Sequence, residues 1–316
     1  GLTKDPRLNL TVVASGFDSP WSVAFLPGGG YLVTERDGQL RRVDAEGKIS
    51  APLTGVPAVA ASGQGGLLDV VLDRDFATNR VIYLSYAEPG EGGAGTAVAR
   101  ATLGATGLSD VTVIFRQVPK VPGGRHFGSR IVQAADGHLF ITTGDRGNPA
   151  FVQDMASTIG KVIRIRPDGT IPTDNPFVST AGARPEIWSL GHRNAQGATL
   201  HPTSGKLWLH EHGARGGDEV NVPEAGKNYG WPVITLGVDY SGAKIGEGKA
   251  KAGMEQPIHS WTPSIAPSGM AFSTQAAFKD WRGDLFVGAL AGARLVRLDI
   301  EGDRIVGEEA LLTDLG

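Results

Sequence analysis

Short apolar runs recur along the chain, each ending in a turn, followed by a second apolar run and closed by a polar hairpin. The units are WSVAFLPGGGYLVT (21–34), LLDVVLDRDFATNRVIYLSY (67–86), SRIVQAADGHLFITTGD (129–145), QGATLHPTSGKLWLHEHG (196–213) and SGMAFSTQAAFKDWRGDLFVGAL (268–290). Val, Ile, Leu, Tyr and Phe fill the runs, and no segment carries a sustained 3.6-residue apolar period, so the chain predicts many short strands and little helix. A second motif follows several units: LRRVDAEG (40–47), VIRIRPDG (162–169) and LVRLDIEG (295–302) each end an apolar strand in an acidic residue and a glycine. That pair supplies the local hydrogen bond and the positive φ of a tight turn, which reads as an outer strand entering a hairpin.

Successive units begin about 46 to about 70 residues apart, the length of a four-stranded blade with its loops, which favours a β-propeller over a sandwich with one pair of sheets. The reading is a single all-β propeller domain over residues 1–316. Five units are complete, and LNLTVVASGF (8–17) reads as an extra N-terminal strand that closes the ring by pairing with the last blade. The ring has either five blades or six four-stranded antiparallel blades with the last incomplete; six is the expectation, although an unpaired blade would expose strand edges.

Composition narrows the chemistry. There is no cysteine, which excludes disulfides, thiolate metal sites and cysteine nucleophiles, so redox work here requires a cofactor. The 30 basic and 33 acidic residues are interspersed and give a net charge of -3. No stripe for nucleic acid or anionic lipid results, and no apolar run reaches the length of a membrane span. A small polar partner fits better.

Among seven histidines, His138, His201 and His210 lie beside or within strand runs and read as packing or surface residues. His126 sits in VPGGRHFGSR, a glycine-rich loop leading into the third unit, where backbone can approach a ligand closely. A lone loop histidine is more often ordinary than catalytic. Asp145, ending FITTGD in the next strand, is placed by hairpin geometry to orient that imidazole and stabilise its protonated form; as an Asp-Arg-Gly turn residue it has an equally ordinary reading. GHRNAQG (191–197) concentrates side-chain donors, with Arg193 suited to a carboxylate or a developing oxyanion. GQGG (63–66) places Gln64 at the equivalent end of its own unit. HEHGARGGDEVN (210–221) offers carbonyl oxygens together with Asp218, Glu219 and Asn221 for a hard cation, but lacks EF-hand spacing and is not HExxH.

Seven motifs in order, GFDSPWSVAFLPGG, GQGGLLDV, HFGSR with FITTGD, GKVIRIRPDGTIPTDNPF, LGHRNAQG, HGARGGDEVN with GKNYGWP, and IAPSGMAF with LFVGAL, resemble the pyrroloquinoline quinone (PQQ)-dependent aldose sugar dehydrogenases and their glucose and sorbosone dehydrogenase relatives. The resemblance implies a six-bladed propeller that oxidises the anomeric hydroxyl of aldoses to the lactone, passing hydride to PQQ. It implies His126 as general base supported by Asp145, with Arg193 at the reacting end. Gln64, Arg193, Asn194, His212, Gly213 and Ala214 would bind the cofactor. The carbonyls of Gly213 and Ala214 would hold calcium, and Glu219 with the Tyr229 carbonyl a second, structural calcium. Ala214 stands where relatives often have proline. An aldose substrate, an external electron acceptor, a monomer or homodimer, and a periplasmic or secreted location follow from the same resemblance. Relatives continue past a segment like Thr313–Gly316 into arginines that bind the quinone's carboxylates. Two alternatives stand beside this reading: a metal-dependent propeller hydrolase or lactonase, and a noncatalytic carbohydrate-binding propeller.

Overall fold

The computed structural model describes residues 7–274, 276–290 and 293–312. The packing divides the chain into two compact units, Val12–Trp188 and Ser189–Gly316 with Gly1–Thr11; Thr313–Gly316 lies outside the described residues.

Five antiparallel sheets, each a run of sequential strands, account for the described strands. The first holds β1 (Pro20–Phe25), β2 (Tyr31–Glu35) and β3 (Gln39–Val43), and the second β4 (Leu67–Leu72), β5 (Val81–Gly90), β6 (Gly93–Leu103) and β7 (Leu108–Arg116). The third holds β8 (Gly128–Gln133), β9 (Leu139–Thr143), β10 (Lys161–Ile165) and β11 (Ile187–Leu190). In the other unit, β12 (Ala195–Leu200), β13 (Leu207–Glu211), β14 (Asp218–Asn221) and β15 (His259–Trp261) form the fourth sheet. The fifth is β16 (Pro267–Phe272), β17 (Leu285–Ala289), β18 (Arg294–Glu301) and β19 (Arg304–Leu311). The one α-helix among the described residues, Phe76–Asn79, is a single turn.

The acidic-Gly turns form as expected. Asp44 Oδ1 accepts from the amides of Glu46 and Lys48, Asp168 Oδ1 from that of Thr170, and Gly47, Gly169 and Gly302 all have positive φ. The strands they follow, β3, β10 and β18, are each the third of their sheet; in the two four-stranded cases the outermost strand comes after the turn.

One expectation fails. Residues 8–17 form no strand, and Leu10, Val12 and Val13 stand 48%, 71% and 60% exposed. Their apolar character matched a strand, but strand formation needs a partner edge for the backbone amides and carbonyls, and no sheet of the described residues pairs with this segment.

The cores lie between successive sheets. Leu32, Leu40, Leu67, Ile82 and Leu84 meet between the first and second sheets; Tyr83, Leu139, Ile141 and Ile163 between the second and third; Trp208, Val220, Leu285 and Leu298 between the fourth and fifth. All are buried, and each large aliphatic side chain contributes about 1.5–3 kcal/mol of burial. Neighbouring sheets are also tied by hydroxyls: Thr34 Oγ1 donates to the Leu68 carbonyl at 2.5 Å and Ser85 Oγ to that of Ser129 at 2.6 Å.

A single device repeats in all five sheets. Where the first strand starts, its register against the second strand shifts by a bulge. Just before it, a carbonyl accepts from an amide in the last part of the second strand or just past it: Ser19 from Arg36, Gly66 from Ala87, His126 from Arg146, Asn194 from His212 and Ala266 from Leu290, at 2.9–3.2 Å. Four of these acceptors, Ser19, Gly66, His126 and Ala266, have positive φ. The antiparallel return therefore sets the loop before each first strand beside the end of the second.

Leu84→Ala, which empties a fully buried position between the first two sheets, is expected to lower unfolding free energy by about 2–5 kcal/mol in urea titrations. Val12→Ala, at an exposed position, is expected to stay within about 0.5 kcal/mol of wild type.

Candidate active site

In Val12–Trp188 the third sheet carries His126 just before β8 and Asp145 just after β9. His126 Nδ1 lies 2.6 Å from Asp145 Oδ1, and the same oxygen accepts the Gly147 amide at 2.8 Å. The aspartate is buried and the imidazole partly exposed, with side-chain exposures of 3% and 12%. The His126 amide donates to Gln64 Oε1 at 2.9 Å, so the glutamine from the loop before β4 braces the histidine's backbone. With its Nδ1 hydrogen held by a carboxylate, the imidazole keeps Nε2 as an acceptor.

Glycine makes this approach possible. A Cβ on Gly144 would stand 1.8 Å from the His126 carbonyl oxygen, and one on Gly63 2.4 Å from that of Gly124. His126 has a φ of 57°, close to the 47° of Ser19 and 48° of Ala266. The left-handed backbone thus belongs to the repeated acceptor position ahead of the first strand, and in the third sheet the residue occupying it is a histidine.

In the other unit, Arg193 is buried, and its Nη1 donates to the carbonyls of His212 and Gly213 at 3.1 and 2.8 Å. Its guanidinium lies 5.3 Å from the centre of the Trp231 ring, while Nε is buried with no partner. Asn194 is buried, and its carbonyl accepts the His212 amide. The His212 imidazole reaches the Pro267 carbonyl through Nε2.

Two carboxylates share the same surroundings. Glu211 accepts the Arg193 amide at 2.9 Å through Oε1 and contacts His192 Nδ1 at 3.2 Å through Oε2; His192 Nε2 lies 2.8 Å from the Ser189 hydroxyl. Asn221 Nδ2 bridges Glu211 and Glu219 at 2.7 and 3.1 Å, and its Oδ1 is buried without a partner. Burial, then the charge of Glu211, pushes the Glu219 carboxyl up to about 8. A void of about 20 Å³ lined by Glu211, Gly213, Glu219 and Tyr229 lies beside them. Among the described residues no three His, Asp or Glu side chains group as metal ligands. Asp218, a candidate cation ligand by sequence, spends its oxygens on the amides of Gly213, Ile265 and Ala266 and the Ser264 hydroxyl.

The model of the glucose/sorbosone dehydrogenase family matches residues 17–316. The chain belongs to that family. Among its relatives, the aldose sugar dehydrogenase YliI of Escherichia coli K12 is 48% identical over 98% of this chain and 85% of its own length. A solved glucose dehydrogenase aligns with a TM-score of 0.94 at 50% identity, over 95% of this chain and 89% of its own. The PQQ-bound aldose sugar dehydrogenase of Streptomyces coelicolor aligns with a TM-score of 0.81 at 32% identity, over 96% and 84%. The glucose/sorbosone dehydrogenase architecture is thus an all-β propeller of four-stranded antiparallel blades.

Sequence reasoning passed over Glu211, which links His192, Arg193 and Asn221, and Arg146, whose buried guanidinium serves backbone carbonyls. Glu211 lies at the end of a strand in HEHG and Arg146 in an Asp-Arg-Gly turn, so neither carried a pattern. The only available signal was a charged residue inside an otherwise apolar or glycine-rich run.

Gly144→Ala is expected to displace the His126 backbone and destabilise the protein by about 1–3 kcal/mol. The check is the downfield proton resonance of the His126–Asp145 hydrogen bond, present in wild type and lost in the variant.

Proposed function

We propose that this protein oxidises the anomeric hydroxyl of aldose sugars to the lactone, with PQQ as cofactor and calcium as supporting cation. The observation that carries this reading is the His126–Asp145 pair, in a chain whose family includes a PQQ-bound aldose sugar dehydrogenase.

The residues fit both groups. The unpartnered Nε of buried Arg193 is a donor awaiting an anionic ligand, and PQQ is a polycarboxylated quinone. Gln64 spends its side-chain oxygen on His126, which leaves its amide hydrogens for the same ligand. The Gly213 carbonyl has one lone pair on Arg193 and a second for a cation, with the Ala214 carbonyl beside it in sequence. The void between Glu211 and Glu219 is about large enough for one water-sized species, suiting a second calcium on Glu219 and the Tyr229 carbonyl.

When bound, PQQ supplies the two-electron acceptor for the hydride, and calcium the positive charge beside it. The protein's part is position and proton transfer. His126 Nε2 takes the proton of the anomeric hydroxyl, and Asp145 stabilises the imidazolium that results. Arg193, fixed by two carbonyls, presents charge where an oxyanion develops, while Asn194 and His212 complete the cofactor-binding set.

Six blades in one propeller domain are part of this proposal. They are supported by the three-stranded first sheet and by Val23 and Phe25 of β1, 48% and 76% exposed. A small aldose, an external electron acceptor, a monomeric or homodimeric state and a periplasmic or secreted location complete it. The family assignment does not favour the hydrolase or the noncatalytic binding propeller.

Protein reconstituted with PQQ and calcium is expected to reduce an artificial dye with aldoses. His126→Ala should keep the bound-quinone spectrum while kcat falls roughly 10²–10⁴-fold; normal turnover by that variant would remove His126 as base. Calcium added to metal-stripped protein should raise Tm by mass action, and Glu219→Gln should lose most of the rise at the second site; an equal rise in both would refute Glu219 as a ligand.

A further inference from the structure

Arg146 follows Asp145 directly and is 1% exposed, yet none of its hydrogen-bond partners is a carboxylate. Nε donates to the Arg125 carbonyl at 3.0 Å, Nη1 to that of Ala94, and Nη2 to those of Gly123 and, at 3.4 Å, Val121. The guanidinium plane lies over the Phe127 ring, 3.8 Å from its centre. Its backbone amide donates to the His126 carbonyl at 3.2 Å.

These contacts enclose one residue. The carbonyl before His126, the carbonyl of His126 itself and the ring after it all bear on Arg146, and the Gly123 and Val121 carbonyls fix the loop's approach. Burying a guanidinium is costly, and burial lowers the Arg146 pKa to about 10, still protonated at neutral pH. In the 121–127 loop the Val121–Ala94 bridge, the Gln64 amide on the Gly124 carbonyl and the Thr96 and Ser129 hydroxyls on that of Phe127 serve part of the backbone, and the Gly123 and Arg125 carbonyls meet Arg146. A five-donor planar fork meets these carbonyls while its flat face lies on the Phe127 ring, a combination that a three-donor ammonium does not reproduce.

We propose that Arg146 is a positioning residue for the His126–Asp145 pair: its guanidinium clamps the 121–127 backbone and the Phe127 ring so that the imidazole is delivered to the carboxylate. It acts through His126 and touches neither sugar nor quinone. The assignment rests on the reading of His126 as the base.

The test compares Arg146→Gln and Arg146→Lys with wild type, loaded with PQQ and calcium and given glucose and a dye. Arg146→Gln is expected to lower kcat roughly 100-fold while KM for glucose moves less than about threefold. Arg146→Lys should recover part of that loss. In the unloaded proteins, the downfield proton of the His126–Asp145 bond, identified by its absence in His126→Gln, should disappear in Arg146→Gln and persist in Arg146→Lys. A folded Arg146→Gln that keeps both the resonance and wild-type kcat overturns the proposal, as does an Arg146→Lys no better than Arg146→Gln. Should Arg146→Gln fail to fold, Arg146→Lys decides: kcat reduced roughly tenfold at unchanged KM supports the clamp, and wild-type kcat overturns it. A wild-type protein inactive on every aldose would remove the functional reading, whereas the resonance in the unloaded proteins would still decide the clamp.

Discussion

The hydrogen bond between the carbonyl before each first strand and an amide late in the second strand or just past it is the constraint on which the rest depends. It appears in all five sheets, always beside a bulge. An antiparallel pair brings its start and finish to one end, and the acceptor residue lies there just ahead of the bulged first strand, outside the ladder. Its carbonyl is secured while its side chain is no part of the pleat. In the first and fifth sheets the position holds Ser19 and Ala266. In the third it holds His126, and the strand returning beside it ends in Asp145. The His126–Asp145 pair is therefore a local variation on a bond that every sheet makes for structural reasons.

Such a scaffold explains how irregular segments stay rigid enough for chemistry. The loops around His126 and Arg193 contain little regular structure, so their backbone carbonyls must find donors elsewhere. Buried cations provide them. Arg146 serves the loop before His126, Arg193 serves His212 and Gly213, and Lys161 donates to Phe151, Asp154 and Ile159 at 2.8–3.1 Å. A multi-donor cation among carbonyls offsets its desolvation by satisfying several acceptors together. Glycines complete the fit where a Cβ would strike backbone, as at Gly144 against His126.

Two clusters with different characters result. Around His126 the partners are a carboxylate, an amide and neutral backbone, an arrangement suited to moving one proton. Around Glu211 and Glu219, two acidic groups share Asn221 and a small void, where like charge makes ionisation of both costly without a cation. On the proposed reading, the first does acid–base work on a sugar hydroxyl and the second holds a cation.

The alternation of short apolar runs with acidic-Gly turns determined, by itself, the all-β class, the positions of the five sheets and the order of the loops. Those features follow from local rules: side-chain periodicity and the φ that a turn demands. The ordered motifs likewise singled out His126, Asp145, Gln64 and Arg193. The same local rules misread residues 8–17, because apolar content marks a possible strand but pairing requires an edge supplied by another part of the chain. Hairpin geometry pointed Asp145 toward His126, but the local rules were silent on the other meetings. That Gln64 braces the His126 amide, that Asp218 is consumed by loop amides, and that Arg146 and Glu211 are buried among distant backbone and side-chain groups were decided only by the tertiary structure. Each depends on contacts between residues separated in sequence, and the residue types at the two ends carry no periodic signal that would announce the pairing.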